Sequence, residues 1–321
     1  MKASRRQFLA TSAALASLAP MGAWSQSAAK LTLQAAWVND AEFMGYFVAM
    51  DKGFYKTEGL DLTYLSGGPD VIPEASLLSK KADICLTTVE TAIKAITDQK
   101  APLVIIGAQY QKNPVGIVSL ASKPLKTPQD LIGKTIAVPP VNRLTVEAML
   151  KLNGIDKAKV KIVPYAYDPT PLIKGEIDGS LDFTTNVPFT IKSMGKDATS
   201  FLLADFKLPL FNDVVVVTQE TLKTRRKDIV AFMRASRKGW DENFKDTKAY
   251  PPKFKDTWFK GTGRSVENEL FFNEAQKALM VNAGGIFAMS DASIANCIAA
   301  LNAVDVKADK SHFDTSLLKE I

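Results

Sequence analysis

Residues 115–120, VGIVSL, and residues 213–217, DVVVV, are the two most strand-like runs in the middle of the chain. A polar turn precedes each run, at residues 112–114 and 211–212. Short apolar runs bounded by turn residues are typical of buried strands. We therefore expect both runs to be core strands and to lie side by side, where the chain passes twice between two lobes.

Strand-like and helix-like segments alternate on either side of these runs, which is typical of parallel sheets built from βαβ units. The predicted strands are residues 31–37, 60–65, 82–87, 104–108, 135–138, 161–164 and 180–184, and the predicted helices after residue 217 are residues 227–243, 266–281 and 291–300. A chain of this length usually exceeds what one hydrophobic core can organise. The sequence therefore predicts an α/β fold with two lobes, two hinge crossings and a helical carboxyl-terminal third. Lobe 1 is predicted to comprise residues 30–113 and 214–321, and lobe 2 residues 114–213.

The amino terminus has the layout of an export signal, predicted to cover residues 1–29. Its segment Ser4-Arg5-Arg6-Gln7-Phe8-Leu9 fits the twin-arginine pattern. The apolar run from Phe8 to Ala19 is too short to span the roughly 30 Å hydrocarbon core of a bilayer. No cysteine follows the run to accept a lipid anchor. We expect the signal to be removed between residues 23 and 29, leaving a soluble periplasmic protein that does not span the membrane.

The composition gives little support for nucleic-acid binding. Removing Lys2, Arg5 and Arg6 with the signal lowers the number of Lys and Arg residues from 40 to 37 against 34 acidic residues, which leaves a net charge of +3. Cys85 and Cys297 are far apart, so a disulfide and two separately buried thiols both remain open. Two cysteines and one histidine predict no metal site, and no cofactor is expected.

A glycine-rich segment at residues 261–268, GTGRSVEN, looks like a phosphate-binding loop. It lacks the Lys-Ser/Thr pair at the required spacing and follows no predicted strand. We interpret it as a loop in which Ser265 caps the next helix.

Candidate ligand-binding residues follow from the position of clefts in α/β folds, where ligands lie outside the carboxyl ends of the strands. The candidates share a position just after a predicted strand or at the start of the next helix. From lobe 1 they are Trp37, Asn39, Asp40, Glu42, Tyr46, Thr87, Thr88, Glu90, Gln109 and Tyr110, and from lobe 2 they are Asn142, Arg143, Tyr167, Asp168 and Asn186.

The residue types at this cleft indicate a flat ligand. Trp37 and Tyr46 would stack on a ring, although both would also suit the core of lobe 1. Asn39, Glu90 and Asn186 would hydrogen-bond ring nitrogens and exocyclic groups, although each would also suit a helix cap.

The charges at the cleft favour a ligand with amino groups over an anion. Asp40, Glu42 and Glu90 would repel an anion. Arg143, beside the start of a helix, favours an anion instead and keeps that class open.

Six groups of residues resemble one known family, the periplasmic solute-binding proteins for thiamine-pyrimidine precursors, sulfonates, nitrate and related small molecules. They are residues 37–40 (WVND), 45–49 (GYFVA) with 52–55 (KGFY), 58–62 (EGLDL), 82–84 (ADI), 128–134 (PQDLIGK) and 175–179 (GEIDG). The resemblance rests on their order and spacing. It implies a type II periplasmic-binding-protein-like fold and a role in an ABC importer, together with a permease and its ATPase. It also implies that an aromatic residue stacks on the ligand ring. We expect the protein to be a monomer.

The chain departs from the family in the loop after Trp37. Pyrimidine binders commonly carry a histidine there, whereas this chain has Asp40-Ala41-Glu42-Phe43. A flavin-like, purine or other nitrogen heterocycle therefore remains open beside a thiamine-pyrimidine precursor, as does a sulfonate, nitrate or other small anion. A receptor that binds its solute only for signalling would use the same cleft.

The resemblance also raises the possibility of an enzyme, because eukaryotic relatives of this fold make the thiamine pyrimidine. Those relatives use an internal histidine, a lysine-bound pyridoxal phosphate and a cysteine-rich iron-binding segment. Here His312 lies nine residues from the carboxyl end, and the cysteine-rich segment is absent. We therefore expect a binding protein and no enzymatic activity.

Overall fold

Two five-stranded sheets with flanking helices form the computed structural model, which describes residues 27–139, 142–165 and 167–321. The predicted export signal lies outside these residues except for residues 27–29. The strands are β1 (Ala29–Gln34), β2 (Leu60–Leu65), β3 (Ile84–Thr87), β4 (Leu103–Tyr110), β5 (Val115–Leu120), β6 (Thr135–Val138), β7 (Lys161–Pro164), β8 (Gly179–Phe183), β9 (Ala198–Leu202) and β10 (Asn212–Thr218).

The first sheet has the order β2-β1-β3-β10-β4, and the second has the order β7-β6-β8-β5-β9. In the first sheet β10 runs antiparallel to β3 and β4, while β1 pairs in parallel with β2 and β3. In the second sheet β5 runs antiparallel to β8 and β9, while β6 pairs in parallel with β7 and β8. Each sheet therefore has four strands that end at the same edge and one reversed strand.

The expectation that residues 115–120 and 213–217 lie side by side is wrong. β10 lies between β3 and β4 in the first sheet, whereas β5 lies between β8 and β9 in the second. Residues 214–217 are all valine and all buried, as expected for a central strand in a sheet whose two faces are both covered by helices. The chain instead crosses between the sheets at residues 111–114 and 203–211. These two crossings lie side by side, since the Asn113 amide donates to the Leu210 carbonyl at 3.1 Å. Two hinge crossings are thus confirmed, and the exact lobe boundaries remain a prediction.

The helices cover both sheets and make up most of the chain after β10. They are α1 (Met44–Asp51), α2 (Phe54–Thr57), α3 (Pro73–Leu78), α4 (Val89–Asp98), α5 (Arg143–Leu152), α6 (Thr170–Lys174), α7 (Val187–Ser193), α8 (Gln219–Thr224), α9 (Arg226–Asn243), α10 (Pro251–Phe254), α11 (Val266–Met280) and α12 (Asp291–Asn302). The three predicted carboxyl-terminal helices correspond to α9, α11 and α12. Within the described ranges, none of the helices combines the length and apolar character needed to cross a bilayer.

Two smaller predictions are also tested by the fold. The Ser265 hydroxyl accepts the Asn268 amide proton at 3.1 Å and caps α11, as expected. Cys85 and Cys297 are free, buried thiols, so the disulfide alternative is wrong.

Close helix packing in lobe 1 places Tyr46 in the core. A Cβ atom added to Gly45 of α1 would lie 2.2 Å from the Trp240 ring, and one added to Gly239 of α9 would lie 2.1 Å from the Gly45 carbonyl oxygen. Tyr46 is fully buried at this contact, with its ring stacked on Phe232 at a centroid distance of 6.2 Å. The core position, which was the alternative for Tyr46, is therefore the one observed.

Candidate functional site

The carboxyl ends of the strands of both sheets meet beside the hinge. Because only residues 111–114 join β4 to β5, the edge where β1 to β4 end lies close to the edge where β6 to β8 end. The rings of Trp37 and Tyr167 face each other across this gap, with centroids 5.5 Å apart and an angle of 55° between the rings. Ligands of α/β folds bind at such edges, so this gap is the candidate site.

Tyr167 has a backbone conformation that is rare for a bulky residue. Its φ angle is 60°, and half of its side chain is exposed. Non-glycine residues in the left-handed region are uncommon and concentrate at functional sites. The strained backbone directs the Tyr167 ring towards lobe 1, where it contacts Trp37.

Seven buried polar side-chain atoms near these edges have no hydrogen-bond partner among the residues that the structure describes. They are Asn39 Oδ1, Tyr64 Oη, Glu90 Oε2, Gln109 Oε1, Tyr165 Oη, Thr185 Oγ1 and Asn186 Oδ1. Buried polar groups are normally paired with protein, water or a ligand. Both lobes contribute to the set, and four of the seven atoms are carbonyl or carboxyl oxygens. Within this set, the amide and carboxylate oxygens accept hydrogen bonds, whereas the three hydroxyls both donate and accept.

The orientation of the Gln109 amide is fixed by two acceptors. Its Nε2 donates to the Glu42 carbonyl oxygen at 2.8 Å and to Asp213 Oδ2 at 2.9 Å. Since only the nitrogen end of an amide can make these two bonds, Oε1 is the end that remains without a partner. Gln109 thus presents a fixed acceptor at the end of β4.

Asp213, which accepts a hydrogen bond from Gln109, has a left-handed backbone within β10. Its φ angle is 45°, and it is buried opposite Gln109, between the pairs Asn212–Tyr110 and Val214–Ala108. Such a conformation costs about 1–3 kcal/mol and persists only where the surrounding structure enforces it.

Four buried carboxyl groups cluster beneath the loop that follows β1. They belong to Asp40, Glu42, Asp213 and Glu269, and the Arg264 Nη2 atom lies 3.1 Å from Asp40 Oδ2. Burial raises the pKa of Asp40 to about 6, and that of Asp213 and Glu269 to about 7. Burial and the neighbouring Asp213 and Asp40 carboxyls raise the pKa of Glu42 well above its usual value. Near neutral pH the cluster therefore holds protons and carries less negative charge than its four carboxyl groups suggest.

Several predicted site residues already have partners within their own lobe. In lobe 1, the Thr87 hydroxyl donates to Glu74 Oε1 at 2.6 Å, the Thr88 hydroxyl accepts the Thr91 amide proton, and the Tyr110 hydroxyl donates to Gln276 Oε1 at 2.7 Å. In lobe 2, Arg143 pairs with Glu147 at 3.0 Å, and Asp168 Oδ1 accepts the Thr170 amide proton at 2.9 Å. Asn142 precedes α5 without a side-chain cap hydrogen bond.

Lobe 2 also holds a buried acid that sequence reasoning missed. Burial raises the pKa of Asp182 to about 7, and the Ser180 hydroxyl donates to its Oδ2 atom at 2.5 Å. An acid within a predicted strand was the available signal, at residues 180–184 for Asp182 and at residues 213–217 for Asp213. The tyrosines Tyr64 and Tyr165 gave no comparable signal, because tyrosine is ordinary in and beside strands.

Comparison with known proteins supports the family resemblance. The family described as NMT1/THI5 like matches residues 40–249, which is more than half of the chain. The riboflavin-binding protein RibY of Chloroflexus aurantiacus is 25% identical over 247 residues, covering 75% of this chain and 69% of that protein. The formylaminopyrimidine-binding protein of Halalkalibacterium halodurans is 23% identical over 210 residues, covering 64% of this chain and 63% of that protein.

A further relative is named as an enzyme, and a solved structure shares the fold. The 4-amino-5-hydroxymethyl-2-methylpyrimidine phosphate synthase of Legionella pneumophila is 24% identical over 230 residues, covering 68% of this chain and 70% of that enzyme. The periplasmic aliphatic sulphonate binding protein SsuA of Escherichia coli superposes with a TM-score of 0.68 at 12% identity, covering 91% of this chain and 99% of that protein. The fold is thus that of the periplasmic binding proteins, and the chain belongs to the NMT1/THI5-like family.

Proposed function

We propose that this chain is the extracytoplasmic solute-binding component of an ABC importer and that it captures a small nitrogen heterocycle, similar to a thiamine-pyrimidine precursor, between its lobes. The observation that carries this proposal is the pair of rings from opposite lobes, Trp37 and Tyr167, beside buried acceptor oxygens that lack partners. A twin-arginine export signal and a partnership with a permease and its ATPase are part of the proposal.

The aromatic pair suits a flat ligand. Aromatic rings prefer offset or tilted arrangements and supply rigid contact area at low entropic cost. A planar ligand would enter between Trp37 and Tyr167 when the lobes move apart and would be enclosed when they close, as in other hinged two-lobed proteins.

The acceptor atoms favour a ligand with N–H groups. Gln109 Oε1 is a fixed acceptor, and the amide oxygens of Asn39 and Asn186 add acceptors from both lobes. A buried acceptor left unpaired is costly, so amino groups on a heterocycle would be selected over groups that only accept.

A small anion is the second candidate, and the fold shared with a sulphonate-binding protein favours it. An anion needs donors, but the Arg143 and Arg264 guanidinium groups are paired with Glu147 and Asp40. The acceptor-rich site therefore favours the heterocycle. Charge repulsion alone does not exclude an anion, because burial raises the pKa of Glu90 and weakens the repulsion that its carboxylate would exert.

A ligand screen by thermal shift tests the proposal. The purified chain is heated with 4-amino-5-hydroxymethyl-2-methylpyrimidine, riboflavin, adenine, taurine or nitrate. A ligand that binds only the folded state stabilises it by about 2.7 kcal/mol at a hundredfold excess over Kd. Stabilisation by a heterocycle supports the proposal, and stabilisation by taurine or nitrate alone would overturn the choice of ligand. Incubation of the chain with pyridoxal phosphate, followed by mass spectrometry for a pyrimidine product, tests the enzymatic alternative, and formation of that product would identify an enzyme instead.

A further inference from the structure

The loop that follows β1 is held by side chains of α11, far away in sequence. The Ala41 amide donates to Glu269 Oε2 at 2.5 Å, and the Ala41 carbonyl accepts from Gln276 Nε2 at 2.7 Å. The two side chains lie 228 and 235 positions from Ala41 in the chain. Both backbone polar groups of one buried residue are therefore satisfied by the same helix.

Glu269 and Gln276 are themselves fixed by neighbours. The Asn268 Nδ2 atom donates to Glu269 Oε1 at 3.0 Å, and the Tyr110 hydroxyl donates to Gln276 Oε1 at 2.7 Å. Glu269 and Gln276 are both fully buried. A side chain fixed at both ends of its polar group can hold a backbone segment in one place, because few rotamers satisfy all of its bonds.

The loop after β1, which α11 holds, carries several of the candidate ligand-binding residues of lobe 1. Trp37 and Asn39 lie a few residues before Ala41, and Asp40 immediately precedes it and pairs with Arg264. Residues 41–43 form one turn of 3-10 helix, and so short a turn leaves backbone groups that must find partners elsewhere. Without α11, the buried Ala41 groups would lose theirs.

We propose that Glu269 and Gln276 are positioning residues that act through the Ala41 backbone to hold Trp37 and Asn39 in their ligand-binding geometry. The expected effect on ligand affinity rests on the proposed function, whereas the expected effect on the position of the loop does not. Both residues lie outside residues 40–249, the part of the chain matched by the family.

The test compares Glu269→Ala, Gln276→Ala and Glu269→Gln with a control on the same helix, Lys277→Met. Lys277 donates to the Phe244 carbonyl at 2.8 Å and contacts another part of lobe 1. Amide hydrogen exchange of residues 37–43 reports on the loop, and titration with 4-amino-5-hydroxymethyl-2-methylpyrimidine and riboflavin reports on binding.

We expect each alanine variant to speed exchange of the loop and to weaken binding by about 10- to 100-fold, as for loss of a buried hydrogen bond to a charged or fixed group. Glu269→Gln should stay within about threefold of the parent, because the Asn268 amide can rotate and offer its unpaired Oδ1 to the new amide group. Alanine variants that match Lys277→Met in both measurements, or that speed exchange equally throughout lobe 1, would show no specific effect on the loop, and either result would overturn the inference. If the parent protein binds neither probe, the proposed ligand class fails, and the exchange rates alone still decide whether α11 positions the loop.

Discussion

Replacing Gly67 with alanine should displace Trp37 and weaken ligand binding, whereas the same change at Gly68 should do neither. A Cβ atom at Gly67 would lie 2.4 Å from the Ala36 carbonyl carbon and 2.5 Å from both the Ala35 oxygen and the Trp37 nitrogen. At Gly68 the nearest atom, on Val38, would lie 3.9 Å away. Neither glycine has a positive φ angle, so backbone strain does not complicate the comparison.

The size of the expected effect follows from the backbone shift that a Cβ atom at Gly67 requires. All three atoms that crowd the Gly67 position belong to the backbone, so no side chain can rotate away. The backbone of residues 35–37 must therefore shift by about 1 Å to restore ordinary contact, at a cost of about 1–3 kcal/mol, as in other overpacked sites. The Gly67 amide also donates to the Trp37 carbonyl at 2.8 Å, so this hydrogen bond is strained as well. Loss of a well-placed aromatic contact costs about 0.5–1.5 kcal/mol, or up to about tenfold in Kd.

Two measurements test whether the close approach of Gly67 positions Trp37. Urea unfolding gives the free energy of unfolding of Gly67→Ala, Gly68→Ala and the parent, and calorimetric titration with the best ligand from the thermal-shift screen gives Kd for each. We expect Gly68→Ala to match the parent in both. If Gly67→Ala also matched the parent, the close approach of Gly67 to the Trp37 backbone would not determine the geometry of the site, which would refute this prediction.

Three further predictions concern single side chains. Trp37→Ala should weaken ligand binding by about tenfold or more and lower the free energy of unfolding by less than it weakens binding, because the partly buried ring faces Tyr167 of the other lobe as well as the core of lobe 1; comparable losses in titration and urea unfolding would place the ring in the core. Burial raises the pKa of Asp213 from 3.8 to about 7. Between these pH values the folded state therefore binds more protons than the unfolded state. The contribution of Asp213 to the free energy of unfolding is fully present below pH 4 and is lost as the pH rises through 7. The parent should lose unfolding free energy on the order of 4 kcal/mol between pH 4 and 8 through this group, and Asp213→Asn should reduce this loss. If urea unfolding showed the same dependence of the unfolding free energy on pH in both proteins, Asp213 would not titrate in this range. Arg143→Ala should change Kd by less than about twofold, because its guanidinium pairs with Glu147 on the surface of α5; a loss of tenfold in titration would support an anionic ligand.

The order of helices and strands could be predicted because the signals are local. The apolar run at residues 82–87 and the periodic segment at residues 227–243 correspond to β3 and α9. Hydrophobic periodicity reflects which face of an element is buried, and it is visible within a dozen residues. The short helices α6 and α7 and the strand β9 were missed, because segments of five to seven residues carry few periods.

The partners of each strand could not be predicted in the same way. Residues 214–217 are apolar on both faces, so they suit the centre of either sheet equally well, and only contacts with β3 and β4 place β10 in the first sheet. Strand pairing depends on residues far apart in sequence, which a local pattern does not encode.

The amino-acid pattern alone shows which residues follow the strands, and hence that Trp37 and Asn39 lie at the carboxyl edge of one sheet and Tyr167 at that of the other, because parallel strands bring their carboxyl ends together. Packing of the folded chain sets which of the candidate side chains are free to bind. It placed Tyr46 in the core, paired Arg143 with Glu147, and held Ala41 with side chains of α11. The reason is physical: burial and hydrogen-bond satisfaction depend on neighbours that arrive from elsewhere in the chain, and these become adjacent only when the lobes are packed.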